Sequence, residues 1–299
     1  MLLAIPFVFL ISLFKTNSSQ AIYKVEYDRF WTYKVHSKKK FDMIILGDSR
    51  VYRGISPQAI NKILPKIKID NFGFSSGILN NEIFMEADKR IDQLAKLKII
   101  LIGISPGSLT EYENTHFRDI RKQPNSEVFD KLYMNYFISK FLSPVKPSEV
   151  FMIKKQSEPE TIKEVFYNNG WVASTTNDSN HSKYISSYQK YWAENKVSKS
   201  RIDDLKARIA TWTKDGVFVF AFRAPSSLEI DTIENRVSGF DENDLSEKIK
   251  SDGGHWIPLI DKYNRYLSYD GCHLKAKSAM LLSEDIALEI KRVLKIDEP

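Results

Sequence analysis

Short apolar runs alternate with amphipathic stretches along most of the chain. Residues 43–46 and Ile99–Ile104 are apolar throughout, a pattern typical of strands that are covered on both faces. The predicted strands are 43–46, 67–71, 99–104, 217–222 and 256–260, and the predicted helices are 56–64, a segment with its apolar face from Ile83 to Leu94, 200–214, 241–251 and 275–295. This alternation predicts a parallel sheet between two helical layers, with a ligand crevice beyond the carboxyl ends of the strands.

The alternation is interrupted between about residues 107 and 199, where Tyr, Lys, Asn and Ser are frequent. Helices are predicted there at about 128–142 and 184–195, with a turn-rich piece at 168–182. We interpret this segment as an insertion in a single domain spanning 41–299. The chain has 299 residues, of which 42% are hydrophobic and 27% charged, a composition that excludes disordered, collagen-like and low-complexity proteins.

The first 14 residues carry no charge and would form about 21 Å of helix, less than the roughly 30 Å hydrocarbon core of a bilayer. They are interpreted as a signal peptide or membrane anchor, although no positively charged region precedes them. A buried N-terminal helix is the alternative.

The positive charge is concentrated near the N-terminus. The chain has 44 Lys and Arg against 38 Asp and Glu, a net charge of +6. Residues 15–40 contain seven basic and two acidic residues, or +5. The remainder is nearly neutral, so the composition gives no reason to propose nucleic-acid binding. We interpret 15–40 as a basic juxtamembrane stem near anionic head groups, although positive residues after an apolar segment favour a cytoplasmic flank.

Metal and disulfide chemistry find little support in the sequence. Cys272 is the single cysteine, which excludes an intrachain disulfide and a zinc site built on several thiolates. The histidines other than His273 show no spacing that would assemble a metal site. No metal and no cofactor are therefore implied.

Two separated motifs suggest nucleophilic chemistry. Gly47-Asp48-Ser49 follows the first predicted strand, where an open α/β sheet places its ligand site, although the tripeptide alone also suits a strand-ending turn. Asp270-Gly271-Cys272-His273 precedes the last predicted helix. This spacing can bring the carboxylate to one imidazole nitrogen while the other faces a nucleophile. Together the motifs have the order of a serine acyl-transfer site.

With Asn71-Phe72-Gly73 as a further block, the sequence resembles the SGNH/GDSL hydrolase superfamily over residues 43–104 and 217–295. The resemblance implies a three-layer α/β/α, flavodoxin-like fold. It also implies a set of roles: Ser49 as nucleophile, His273 as general base, Asp270 as its orienting partner, and the backbone N–H groups of Ser49 and Gly73 as the oxyanion hole.

The third block of the superfamily, Gly-x-Asn-Asp, is replaced here by Gly103-Ile104-Ser105-Pro106. Losing an oxyanion donor costs roughly 10²–10³ in rate. Either Ser105 substitutes as the donor, or turnover is slow, or a partner completes the site.

Gly-Asp-Ser-Arg and Gly-x-Ser-Pro look most like an exported, membrane-anchored branch of the superfamily that includes the teichoic-acid D-alanylation and alginate O-acetylation proteins. This resemblance implies acyl transfer or ester hydrolysis on an O-acylated carbohydrate or surface polymer, outside the cytoplasm, often beside a membrane-bound O-acyltransferase. A catalytically weakened scaffold in polysaccharide modification and a cytoplasmic esterase are the alternatives.

Three further features have a functional and a structural interpretation. Arg50 and Arg223 are candidates for binding an anionic substrate group, although Arg50 equally suits an ion pair and Arg223 a strand-ending loop. Cys272 is either a thiol nucleophile or a small buried residue. The aromatic residues of the insertion suit either sugar stacking or a core: Tyr133, Tyr136, Tyr167, Trp171, Tyr184, Tyr188, Tyr191 and Trp192.

Overall fold

A computed structural model of the chain describes residues 24–75, 78–112, 115–134, 162–176 and 181–296. The strands are β1 (Lys24–Val25), β2 (Met43–Gly47), β3 (Ile69–Asn71), β4 (Ile99–Ile104), β5 (Ile162–Tyr167), β6 (Val172–Thr176), β7 (Phe218–Arg223) and β8 (His255–Trp256). The helices are α1 (Tyr27–His36), α2 (Ser49–Gly54), α3 (Pro57–Ile63), α4 (Asn81–Arg90), α5 (His116–Arg121), α6 (Asn125–Phe129), α7 (His181–Glu194), α8 (Lys199–Lys214), α9 (Leu228–Val237), α10 (Glu242–Ser251), α11 (Lys262–Arg265) and α12 (Ala276–Val293).

Five parallel strands form the central sheet in the order β3-β2-β4-β7-β8. Counted among themselves along the chain, these strands run 2-1-3-4-5, which is the flavodoxin-like order. The predicted α/β fold with a parallel sheet is thus confirmed. The strand order reverses between β2 and β4, and the crevice where such sheets bind ligands lies at their carboxyl ends.

Alternate residues of each strand supply two separate apolar layers. On β2, Ile44 and Leu46 face one layer and Met43 and Ile45 face the other. The first layer is closed by α1, α4, α8 and α10, and the second by α3 and α12. The sheet is therefore buried on both faces, as the unbroken apolar runs predict.

Helix α1 belongs to this domain and not to a stem. Its Phe30, Trp31 and Val35 lie in the core, because they recur at helical spacing on one face. Lys34 is buried as well, and its Nζ donates to the carbonyl of Gly170 at 3.1 Å. The domain therefore includes α1, which the prediction placed before a boundary at residue 41.

The insertion begins and ends side by side. The N–H of Ser198 donates to the carbonyl of Leu109 at 2.9 Å, and Thr110 bridges to Val197. Between them β5 and β6 form a hairpin that pairs with β1 in a small antiparallel sheet. The predicted helix at 184–195 is α7. The predicted helix at 128–142 is described only to Met134, as α6 and a π-helical turn.

Helix α9 was not predicted from the sequence, and β8 is shorter than predicted. Within the described ranges, none of the helices has both the length and the apolar character needed to cross a bilayer. Residues 1–14, the predicted signal or anchor, lie outside the described residues.

Candidate active site

Ser49 lies at the first position of α2, directly after β2. Asp48 caps this helix by accepting the N–H of Arg50 at 3.0 Å, as helix N-caps do. The turn can be this tight because Gly47 and Gly103 pair across β2 and β4. A Cβ on either glycine would approach Val51 to 2.3 Å. Small residues at both positions thus let α2 start against the sheet and hold Ser49 at its carboxyl edge.

Asp270 and His273 lie in the loop before α12. One carboxylate oxygen of Asp270 accepts the backbone N–H groups of Cys272 and His273, at 2.9 and 2.7 Å. The other lies 2.6 Å from Nδ1 of His273. Burial acts to raise the pKa of Asp270, but the hydrogen bonds and the charge of His273 outweigh it and lower the pKa to about 2. Asp270 is therefore ionised at neutral pH.

The imidazole connects this carboxylate to the serine. Nε2 of His273 lies 2.8 Å from Oγ of Ser49. An ionised carboxylate only accepts hydrogen bonds, so Nδ1 donates to Asp270 and Nε2 is left to accept from the serine hydroxyl. The ring of Tyr269 stacks on the imidazole, with centroids 5.9 Å apart. The side chain of His273 remains 18% exposed, so the serine–histidine pair is open to a ligand.

Gly73 lies beside this group, on the segment that continues β3. Its N–H donates to the side-chain oxygen of Asn71 at 3.1 Å. The amide nitrogen of Asn71 donates to the carbonyls of Val51 and Ile55, at 3.1 and 2.8 Å. Asn71 thus fixes the glycine loop to α2. The sequence motif contains this asparagine, but its bridging role was not recognised because it depends on where α2 ends.

Ser105 is placed differently from the predicted oxyanion donor. It follows β4 and is fully buried, its side chain capping the 3₁₀ turn Pro106–Leu109. Its hydroxyl donates to the second carboxylate oxygen of Asp48. A buried hydroxyl that already donates to a carboxylate is not available to a substrate oxygen, so the structure assigns Ser105 to the support of Asp48.

Arg50 and Arg223 belong to one buried ion-pair network. Arg50 pairs with Glu234, and Arg223 pairs with Asp231 and Glu234, at 3.2 and 3.5 Å. Both arginines are about 95% buried or more. Their guanidinium groups are therefore engaged by acids of α9, as the ion-pair interpretation of Arg50 expects, and we assign neither a substrate contact.

Cys272 is buried next to Arg50. It is 1% exposed and 3.6 Å from a guanidinium nitrogen of Arg50. Burial raises its pKa to about 12, although Arg50 acts in the opposite direction. The thiol is thus protonated at neutral pH and is a poor nucleophile, which favours the interpretation of a small buried residue.

The described aromatic residues of the insertion are mostly engaged in packing. Tyr167 stacks on Trp171 at 5.1 Å, and Trp192 is 1% exposed. Tyr191 also makes a polar contact, because its hydroxyl lies 3.0 Å from that of Thr110. The side chains of Tyr136 and Tyr184 lie outside the described residues.

No family model matches the chain, and no curated protein matches it. Among solved structures, it is similar to a protein from Streptococcus pneumonia that is provisionally described as a platelet activating factor. The two share 10% sequence identity over 88% of this chain and 90% of that chain, with a TM-score of 0.40. This similarity carries no assignment of activity.

Proposed function

We propose that the protein is a serine-dependent acyl-transfer enzyme, an esterase or O-acyltransferase of the SGNH/GDSL kind. The observation that carries the proposal is the hydrogen-bonded chain from Ser49 through His273 to Asp270. A serine hydroxyl is a weak nucleophile until an adjacent base removes its proton. Here the base is in hydrogen-bond reach, and a buried anion holds its other nitrogen.

The reaction divides into two balanced steps. Oγ of Ser49 attacks the ester carbonyl while Nε2 of His273 takes the hydroxyl proton. The alcohol then leaves with that proton, and the acyl group stays on Ser49. In the second step water or a sugar hydroxyl attacks the acyl-serine and gives its proton to His273, which passes it to Oγ of Ser49 as the bond between Oγ and the acyl group breaks. Water yields the free acid and a sugar yields a new ester.

The N–H of Ser49 is the proposed donor for the oxyanion, because the first N–H groups of a helix have no intrahelical acceptor. Gly73 is the second proposed donor, and its N–H would exchange the oxygen of Asn71 for that of the substrate. We propose that the acyl group is carried by an exported or surface carbohydrate. The Gly-Asp-Ser-Arg and Gly-x-Ser-Pro motifs support this, because they resemble those of the exported branch of the SGNH/GDSL superfamily. A membrane-associated location, with the domain outside the cytoplasm, rests on the same resemblance.

A second candidate is a weakened scaffold that assists polysaccharide modification. It is favoured by the engagement of Ser105 with Asp48, which leaves the third block without a side-chain donor to the oxyanion.

Labelling with a fluorophosphonate probe separates the two candidates. The enzyme proposal expects one equivalent of label on wild-type protein and none on Ser49→Ala. Ser200→Ala, an exposed serine at the start of α8, and Cys272→Ala should label like wild type. Folded wild-type protein that takes no label at Ser49 would favour the scaffold.

If wild-type protein labels at Ser49, unlabelled enzyme is then given acetylated and unacetylated oligosaccharides with a 4-nitrophenyl acetate donor. Release of acetate alone identifies an esterase, and acetyl transfer to the sugar identifies a transferase.

A further inference from the structure

Exposed lysines gather at the edge of the sheet opposite Ser49. Parallel strands all begin at one edge, and the segments that lead into β2, β3 and β4 are rich in lysine. The exposed lysines of these segments are Lys38, Lys39, Lys40, Lys66, Lys68 and Lys96. We define the amino-terminal edge as the surface formed by these lysines and by the connection between α4 and β4. Ser49 follows the carboxyl end of β2, so the edge and the serine lie at opposite ends of that strand.

A cleft of about 420 Å³ opens within this edge. Its lining includes the 38–40 lysines, together with Lys89, Arg90 and Arg121. Local structure explains why Lys89, Arg90 and Arg121 are basic, because they lie in the last turns of α4 and α5, where basic residues complement the helix dipole. They also have acidic partners: Lys89 and Arg121 pair with Glu86, and Arg90 pairs with Asp70.

Lys38, Lys39 and Lys40 follow the end of α1 and do not lie in the last turn of a helix, so this explanation does not apply to them. Lys40 donates to the carbonyl of Lys89, and the ammonium of Lys39 lies 5.6 Å from the ring centroid of Tyr33. Neither of these contacts is with a carboxylate, but Lys39 also interacts electrostatically with Asp70. The aspartates of the same connections are used in turns: Asp42 accepts the N–H of Lys68, and Asp92 that of Leu94. Both aspartates keep their negative charge, so the edge has six exposed lysines against these two carboxylates and a net positive charge.

Leu94 adds an apolar contact to this basic surface. It lies between α4 and β4 and is 94% exposed. The N–H of Asp92 donates to the carbonyl of Phe41 at 2.7 Å, which fixes the loop beside the segment that follows the three lysines. A single exposed leucine is ordinary on a protein surface. An exposed leucine on the connection that also carries the exposed Lys96 matches the chemistry of an anionic membrane surface, where apolar side chains enter the head-group boundary and lysines meet phosphates.

We infer that the amino-terminal edge docks on an anionic phospholipid surface, with Leu94 in the head-group region and Lys38, Lys39 and Lys40 at the lipid phosphates. Docking by this edge would point the carboxyl edge, with Ser49, away from the bilayer. The inference rests on charge and exposure at this edge and is independent of whether Ser49 reacts.

A fluorescent label at position 94 tests the inference in the full chain. Cys272 is buried, so Leu94→Cys introduces the one accessible thiol among the described residues. Labelled with an environment-sensitive dye, it should show a blue shift with vesicles of phosphatidylcholine and phosphatidylglycerol and none with phosphatidylcholine alone. Leu228→Cys is the control, because Leu228 is 60% exposed beside Ser227, which bonds to Gly271 in the loop of Asp270 and His273.

Charge variants identify the contact. Neutralising one lysine near an anionic surface weakens the attraction about fivefold. Converting Lys38, Lys39 and Lys40 together to Gln should therefore raise the lipid concentration at half-maximal shift about a hundredfold. The matched control converts Lys190, Lys199 and Lys277, which are exposed on other elements, and should change little. All variants keep residues 1–14, so that segment contributes equally.

Three results would overturn the inference. They are the absence of a shift at position 94, an equal shift with uncharged vesicles, and an equal loss in both triple variants. A shift produced by dextran sulfate without lipid would assign the edge to an anionic polymer instead and would also reject it.

Discussion

The hydroxyl of Ser105 donates to the carboxylate of Asp48, so the end of β4 holds the residue that precedes Ser49. Asp48 uses its other oxygen to cap α2 through the N–H of Arg50. Ser105 thus acts on the turn that leads into Ser49.

A double-mutant cycle measures this link. Ser105→Ala leaves the buried carboxylate of Asp48 short of one donor, which should cost about 1–3 kcal/mol in the free energy of unfolding. Asp48→Asn should cost a similar amount. The double variant should cost less than the sum of the two by about 1 kcal/mol or more, because contacting residues couple. Urea denaturation provides the three values, and strict additivity would show that the two side chains do not interact.

Asp270→Asn should reduce kcat by about 10³–10⁴, because the neutral amide no longer selects the tautomer in which Nε2 accepts from Ser49. KM should change much less. Hydrolysis of 4-nitrophenyl acetate is the assay, and Asp203→Asn, on the exposed face of α8, is the control. An Asp270→Asn variant with nearly full activity would contradict the proposed role of the carboxylate.

The same carboxylate should make stability depend on acid. Its folded-state pKa of about 2 is below the ordinary value near 3.8. A lowered pKa stabilises the folded protein above the unfolded-state value, and this contribution is lost as the pH falls through the folded-state value. Between pH 5 and pH 2 the wild type should therefore lose about 2 kcal/mol more than Asp270→Asn. Denaturation curves across this range test the difference, and Asp203→Asn should follow the wild type.

Replacing Gly170 by alanine should destabilise the protein more than the same replacement at Gly239, although both glycines have a positive φ angle. Gly170 and Gly239 have φ angles of +85° and +79°. A Cβ on Gly170 would lie 2.0 Å from the carbonyl oxygen of Asn71, whereas a Cβ on Gly239 meets nothing within 4 Å.

Gly239→Ala should thus cost about 1–2 kcal/mol, the strain of the left-handed backbone. Gly170→Ala should cost distinctly more and should also lower activity, because it pushes on the segment that holds Gly73. Unfolding and esterase assays on the two variants test this, and equal costs would show that the hairpin turn yields to the added methyl group.

The central sheet was predictable because its signal is local. β4 begins and ends where the apolar run does, and the Gly-Asp-Ser and Asp-Gly-Cys-His motifs border elements that the pattern predicts. The loop of Asp270 and His273 lies next to Ser49 because α12, which follows that loop, packs against α2 and α3.

Other features depend on distant partners. The net charge of +5 over residues 15–40, to which Lys34 contributes, predicts a basic stem that includes α1. In the fold that ammonium is surrounded by the rings of Phe30, Trp31, Tyr52 and Phe74, at 5.1–5.3 Å from their centroids. Burial lowers its pKa. Nothing near Lys34 in the sequence indicates that Tyr52 and Phe74 complete this environment.

Arg50 and Arg223 illustrate the same limit, since their acidic partners Asp231 and Glu234 lie on α9, a helix that is absent from the elements predicted above. A cation next to a catalytic motif is as compatible with substrate binding as with an ion pair until the position of Glu234 is known.

Ser49 and His273 are separated by 224 residues, and this separation sets an order of events during synthesis. A ribosome releases the serine early and the histidine near the end, so the nascent chain carries an unactivated alcohol for most of its production. Reactivity toward esters should arise only when α12 closes on the sheet. A chain that stops before this step would be harmless to cellular esters.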